Sequence, residues 1–259
     1  MSPAEKPPVA ILCGGRGTRL QEHTQEIPKP LVEIGGLPIV WHVVQLYASQ
    51  GFRRFVLATG YKGELIERFV AEHGWPDGVA VECVDTGLET QTAGRIARLS
   101  SFFEDEEMFC ATYADGVADI DLGALLGFHR EHGALATMTV VRPELQFGVT
   151  ELDGAGRVMG FHEKPRSEHW INGGFFCFST QALGRISAGG DSTPLEREPL
   201  EALARDGELR AYRHAGFWAC MDTYKDAVAL NDLWAAGAPP WRIWNEQPAS
   251  GAVLAASAE

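Results

Sequence analysis

From Val9 to Val141, short apolar runs alternate with helix-patterned segments, joined by short links. The runs are Val9–Cys13, Phe55–Ala58, Val79–Val84, Met108–Tyr113 and Leu135–Val141, and the first four read without strict polar alternation. Runs of this kind suit strands buried on both faces, as in the middle of a parallel sheet. Between them, Pro38–Gln50, Lys62–His73, Gly94–Phe103 and Leu122–His132 carry helical spacing, with proline at the start of the first and Gly51 after its end. Strand–helix alternation of this length leaves few topologies open. It predicts right-handed crossovers and an α/β fold with a Rossmann-like, mixed but mainly parallel sheet flanked by helices. Ligands of such sheets bind beyond the carboxyl ends of the strands. The loops after Val9–Cys13 and after Met108–Tyr113 are therefore the places to search.

After Arg142 the pattern changes. Phe147–Leu152, Val158–Glu163 and Gly174–Phe178 read as strands separated by polar or glycine-rich turns, and Leu195–Arg205 and Tyr224–Ala236 read as helices. The expected organisation is one domain over residues 1–244. Residues 9–142 form a nucleotide-binding half, residues 143–244 cover the sugar side of a cleft, residues 1–8 are a short lead, and residues 245–259 are a flexible tail. Trp241 and Trp244 predict that the segment before the tail packs on the body.

The net charge of −13 over 259 residues excludes a general nucleic-acid binder, which needs a basic face. The five cysteines form no CxxC pair, so neither a zinc site nor a disulfide framework is expected. The amino-terminal residues lack signal-peptide architecture, and no run is long enough to cross a bilayer. A cytoplasmic protein follows as the expectation.

Positive charge is scarce, which makes its clustering after the first run informative. Gly14-Gly15-Arg16-Gly17-Thr18-Arg19 combines three glycines, whose backbone N–H groups can approach an anion, with two forked guanidinium donors. Lys29 lies between Pro28 and Pro30, which predicts a stiff, extended arm presenting one ammonium group. Together they read as a polyphosphate site. The loop matches neither the Walker pattern nor GxGxxG, and no acid follows the second strand, so a dinucleotide oxidoreductase is disfavoured.

Asp115 follows the strand Met108–Tyr113 and precedes Gly116, a place suited to a divalent metal in a phosphate cleft. Asp119 and Asp121 read instead as turn or helix-capping residues. Asp222 precedes a helix and reads either as a cap or as a second metal ligand. Lys164 precedes Pro165 and is expected to be extended, like Lys29. Of the histidines, only His129 and His132 show helical spacing, without an acid or cysteine pattern beside them.

The string GGRGTRL…PKPLVEIGGLPIVWH resembles the signature of the sugar-1-phosphate nucleotidyltransferases, most closely the glucose-1-phosphate cytidylyltransferases. The resemblance runs in patches from Val9 to Trp244, including VDTG…GR, EKP, INGG and FWACMDT. It implies the nucleotide-diphospho-sugar transferase fold and transfer of a nucleotidyl group, expected from CTP, to a sugar 1-phosphate, expected to be glucose 1-phosphate. It implies catalytic roles for Arg16, Lys29 and Lys164. Leu12, Gly14, Gly15, Gly17, Thr18, Arg19, Thr86, Gly87, Gly94, Arg95 and Asp115 would hold the nucleotide, with Arg95 donating to a pyrimidine carbonyl. Glu163, Lys164, Asn172 and Gly173 would hold the sugar phosphate, and Asp115 and Asp222 would hold Mg²⁺. A homo-oligomer is also implied, with no nucleic-acid or membrane partner. The base is expected to be read at the polar loop flanked by Asp85-Thr86-Gly87 and Thr92-Ala93-Gly94-Arg95, and the stretch from His73 to Val84 is shorter than in those enzymes. A nucleotide-sugar sensing module on the same fold is the alternative.

Overall fold

The computed structural model describes residues 5–17 and 26–244. In chain order the strands are β1 (Val9–Leu12), β2 (Glu33–Ile34), β3 (Leu37–Pro38), β4 (Arg54–Thr59), β5 (Ala80–Asp85), β6 (Met108–Tyr113), β7 (Gly116–Ala118), β8 (Ala136–Val141), β9 (Val149–Leu152), β10 (Val158–His162), β11 (Ile171–Ser179), β12 (Leu209–Arg213) and β13 (Trp218–Cys220). The helices are α1 (Ile39–Ala48), α2 (Gly63–Glu72), α3 (Thr92–Arg98), α4 (Leu122–His132), α5 (Leu183–Ser187), α6 (Glu198–Arg205) and α7 (Tyr224–Ala235).

Seven strands form one sheet in the order β12-β8-β11-β6-β1-β4-β5. β1 lies at its heart, parallel to β4 with Val9 opposite Phe55 and parallel to β6 with Val9 opposite Cys110. Only β11 runs against the others, antiparallel to both β6 and β8. The mixed, mainly parallel sheet is the expected one. The unbroken apolar run of β1 has a direct cause. Val9 and Ile11 enter one core layer while Ala10 and Leu12 enter the layer on the opposite face. A strand covered on both sides has no position where a polar residue is tolerated.

The first layer holds α1, α4, α7 and a cluster of aromatic rings, with Trp41, Trp241 and Trp244 buried in it. Trp241 and Trp244 thus pack as expected, Trp241 stacking on Phe217 and Trp244 meeting Trp41 edge-on. His42 is fully buried there. It bonds the Ile34 carbonyl at 2.8 Å, and burial lowers its pKa to about 4. The second layer stacks Phe103, Phe109 and Phe178 against α5 and Leu195.

Several expectations change. Residues 5–8 are not a loose lead throughout, because Pro7 and Pro8 are buried and the Pro8 carbonyl accepts from the Cys110 N–H. The tail at 245–259 lies outside the described residues. The helix expected over Gly94–Phe103 is α3 starting at Thr92, followed by a separate 3-10 turn, Ser100–Phe102. Lys29 is not on an extended arm but opens a 3-10 turn, Lys29–Leu31, whose Leu31 and Val32 N–H groups bond back to the Pro28 and Lys29 carbonyls. Lys164 is not extended either; its φ is +46°, a left-handed conformation that a non-glycine residue adopts at a cost. β12 has no counterpart in the sequence reading. Its LRAYR run sits at the sheet edge, half-exposed, so its two arginines carry no penalty there.

Candidate active site

The carboxyl ends of β1 and β6, with the loop after β5, face a cavity of about 510 Å³. Leu12, Gly14, Gly15, Arg16 and Gly17 line one side, Leu88–Thr92 another, and Lys29, Tyr113, Asp115 and Asp222 close its end. A second cavity, of about 840 Å³, lies between the segment 141–146, Lys164, Arg166, Trp170 and the stretch from His214 to Cys220. Asp222 lines both cavities. The junction between them is therefore also where the two candidate metal acids stand.

Asp115 and Asp222 are brought together by a two-stranded ribbon outside the main sheet. β7 pairs antiparallel with β13, placing Gly116 opposite Cys220, and the Met221 N–H donates to the Asp115 carbonyl at 2.9 Å. The helix after Asp222 does not use it as a cap. Thr223 accepts from the Asp226 N–H, and the Asp226 carboxylate accepts from the Thr223 N–H in return, a complete capping box. The Asp222 side chain turns instead to Lys29, whose ammonium donates to Asp115 at 2.5 Å and to Asp222 at 2.8 Å. Burial works against the charge on Lys29, but the two carboxylates outweigh it and hold its pKa above the ordinary value.

A cation lying between two convergent carboxylates is the arrangement a divalent ion would replace, so the donor set fits one. Among the described residues, Asp115, Asp222 and Cys220 form the cluster able to hold a metal. His129 and His132 do not; both face the Thr137 hydroxyl, at 2.8 and 2.7 Å, and burial lowers His129 to about 4. Asp121 is the cap expected for α4, accepting from the Ala124 N–H, whereas Asp119 pairs with His214.

The remaining expected residues divide. Arg16 projects from the glycine loop and pairs with Glu89 across the cavity mouth. Thr18 and Arg19 lie outside the described residues. Lys164 lines the larger cavity beside Arg166, while Glu163 is exposed and stands 3.9 Å from Lys164. Asn172 donates to the Tyr113 hydroxyl at 3.1 Å and accepts from the Gly174 N–H, and the Gly173 carbonyl accepts from the Trp218 indole. These two residues brace the partition behind the cavities. Thr86, Gly87 and Gly94 are not lining residues of the smaller cavity. Gly94 is glycine because a side chain there would meet the Asp191 backbone at 2.7 Å. Arg95 lines the smaller cavity, and its donors also meet the protein: Nη1 bonds the Thr59 carbonyl, the Thr86 hydroxyl and the Gly87 carbonyl, and Nη2 the Gly14 carbonyl.

The sequence reading also missed residues. Leu88, Glu89, Thr90 and Gln91, within the polar loop whose flanks were picked out, line the cavity in place of the glycines beside them. Tyr113 bonds the Glu196 carboxylate at 2.5 Å, and burial, then Glu196, raises its pKa well beyond the tyrosine range. In the larger cavity, Trp170 lies between the Arg142 and Arg213 guanidinium groups, at 5.8 and 5.6 Å from its ring. The clustering of Trp170 and Arg166 around EKP was the one available signal.

Comparison with known proteins places this geometry among relatives. Residues 9–235 match the family model described as nucleotidyl transferase. The chain is 41% identical over 255 residues to the glucose-1-phosphate cytidylyltransferase of Salmonella typhi, covering 90% of this chain and 98% of that protein. It is 34% identical over 222 residues to the mannose-1-phosphate guanylyltransferase catalytic subunit beta of Danio rerio, covering 83% of this chain and 61% of that one. Among solved structures, HddC from Yersinia pseudotuberculosis, complexed with GMP-PN, superimposes with a TM-score of 0.69 at 19% identity, covering 88% of this chain and all of that one. That likeness shows a shared fold.

Proposed function

Because the chain belongs to the nucleotidyl transferase family, we propose that it transfers the cytidylyl group of CTP to glucose 1-phosphate, releasing pyrophosphate and forming CDP-glucose. The observation that carries the reading is the meeting of two cavities at Asp222, which Lys29 ties to Asp115 on the smaller cavity's side. One cavity has a glycine-rich floor suited to a triphosphate. The other has Lys164, Arg166 and Trp170 in its wall, suited to a phosphorylated sugar.

The reaction joins a phosphate oxygen of the sugar phosphate to the α-phosphorus of the nucleotide, and the bond from that phosphorus to pyrophosphate breaks. Such transfers ask the protein for alignment and charge neutralisation. Lys164 and Arg166 hold the attacking phosphate in the larger cavity. Arg16 exchanges Glu89 for the triphosphate and neutralises the departing pyrophosphate. Lys29 turns from the carboxylates to the α-phosphate. Mg²⁺ held by Asp115 and Asp222 would supply further positive charge at the phosphates. The base lies against Leu88–Gln91, where backbone groups meet its edge. A site built around the cytosine amino group leaves an acceptor unpaired when uracil enters, a mismatch worth about 1–3 kcal/mol.

A relative named for guanylyl transfer makes the base the point to test. Pyrophosphate release is measured with CTP, UTP, dTTP, ATP and GTP in competition, over a panel of sugar 1-phosphates. Preference for CTP with glucose 1-phosphate is expected. Preference for another base overturns the cytidylyl assignment, and absence of pyrophosphate release with every nucleotide and sugar phosphate supports a binding module instead.

A further inference from the structure

Four of the five cysteines serve apolar packing. Cys13, Cys110 and Cys177 are buried in the first core layer, and Cys83 packs against it. Cys220 is part of neither layer. It is half-buried in the wall of the larger cavity, two positions before Asp222. A free cysteine that acts as a small hydrophobe sits among apolar neighbours, and this one does not.

The fold aims its sulfur at the two acids. With the chain extended out of β13, Cys220 and Asp222 leave it on one side, while Met221, fully buried, leaves on the other into the core. Gly116 stands opposite Cys220 on β7, and a Cβ there would meet only the Ala219 carbonyl, at 4.0 Å, so that face of the ribbon is uncrowded. The Cys220 Sγ and one oxygen from each of Asp115 and Asp222 lie within 4.8 Å of one another. Lys29, from a third segment, already sets a cation against both carboxylates. An ion held by the two acids would therefore have the sulfur within reach.

We propose that Cys220 is a third protein ligand at the junction of the cavities, and that its sulfur makes the site bind zinc-class divalent cations more tightly than Mg²⁺. The proposal rests on the reading of Asp115 and Asp222 as metal acids and adds what their site prefers. Mg²⁺ takes oxygen ligands and gains little from sulfur. Zn²⁺ and Cd²⁺ accept thiolate beside carboxylate, and a soft ligand raises their affinity. Burial, then the two carboxylates, hold the Cys220 pKa above the ordinary thiol value. An entering ion forms the metal–sulfur bond as the S–H proton passes to solvent. The lack of a CxxC pair does not bear on this site, because its ligands come from two distant segments.

Cd²⁺ is the probe, because thiolate bound to it adds an ultraviolet charge-transfer band that carboxylate ligands do not. Stoichiometric Cd²⁺ added to the reduced, metal-free chain should produce the band and raise Tm. Cys220→Ser should abolish the band and keep a smaller rise in Tm from the two acids. Asp115→Asn, which leaves every cysteine in place, should weaken the Cd²⁺ binding that gives the band. In thermal titrations, Cys220→Ser and Cys220→Ala should weaken Zn²⁺ binding by at least about tenfold and leave Mg²⁺ binding within about twofold of the parent. A rise in Tm without the band, a band indifferent to Cys220→Ser or to Asp115→Asn, or equal losses of Zn²⁺ and Mg²⁺ binding would each overturn the sulfur ligand and leave the two acids as the site. If neither Cd²⁺ nor Zn²⁺ raises Tm in the parent, the reading of Asp115 and Asp222 as metal acids fails, and the proposal with it.

Discussion

Replacing Lys29 by methionine tests how the junction of the two cavities is held together. The substitution keeps the apolar stem and removes the ammonium that lies between Asp115 and Asp222. The candidate ligand atoms of the cluster lie within 4.8 Å of one another. Two unscreened carboxylate charges about 5 Å apart repel by about 3 kcal/mol at an effective dielectric of about 20. Asp222 is 41% exposed, so solvent screens a good part of this. The net loss of stability is about 2 kcal/mol, equivalent to a fall in Tm of about 4–8 °C for a chain of this size. Mg²⁺ should then stabilise the Lys29→Met protein more than the parent, because no ammonium has to leave before the ion binds. Turnover should drop by about a hundredfold or more, since the α-phosphate loses its partner. Differential scanning calorimetry with and without Mg²⁺, beside a pyrophosphate-release assay, reads all three. A Tm within about 1 °C of the parent, or equal Mg²⁺ shifts in both proteins, would refute the argument that Lys29 stands in the cation position. The sign with pH is also fixed. The raised pKa of Lys29 means its contribution is complete below 10.5 and is lost only as pH climbs through the higher folded value.

Further outcomes follow from the same geometry. Asp115→Asn and Asp222→Asn should each lower turnover by orders of magnitude with circular dichroism unchanged, because the Thr223–Asp226 capping box keeps α7 intact; near-normal turnover at saturating Mg²⁺ would remove that acid from the site. Arg16→Ala should lower kcat, since the charge it meets develops during the reaction, whereas Lys164→Ala should raise KM for the sugar phosphate; an unchanged kcat for Arg16→Ala contradicts its role. His42 and His129 are held neutral down to about pH 4 by burial, while the unfolded chain protonates them near 6.5. Folding stability should therefore fall as pH drops from about 6.5 towards 4, and His129→Gln should flatten that slope in chemical unfolding.

What the sequence determined by itself is the part written in local pattern. Val9–Leu12 had to be a strand covered on both faces because no residue in it tolerates water, and the strand–helix alternation around it left a mainly parallel sheet as the outcome. The same rule placed the glycine loop and Asp115 beyond strand ends, whereas Asp222 read equally as a helix cap and took its metal role from the family resemblance. Tertiary structure decided what those groups do to one another. Asp115 and Asp222 meet through β7 and β13, three-residue strands too short to carry a periodic signal. Lys29 reaches both acids from a 3-10 turn, not from the extended arm its prolines suggest, because Leu31 and Val32 bond back to that turn. Gly14 read as backbone freedom for a ligand, yet its missing side chain is the seat of Arg95, a residue 81 positions away. Sequence pattern reports which face of an element is dry. Which polar group from a distant segment fills a given gap depends on distances that no local pattern carries.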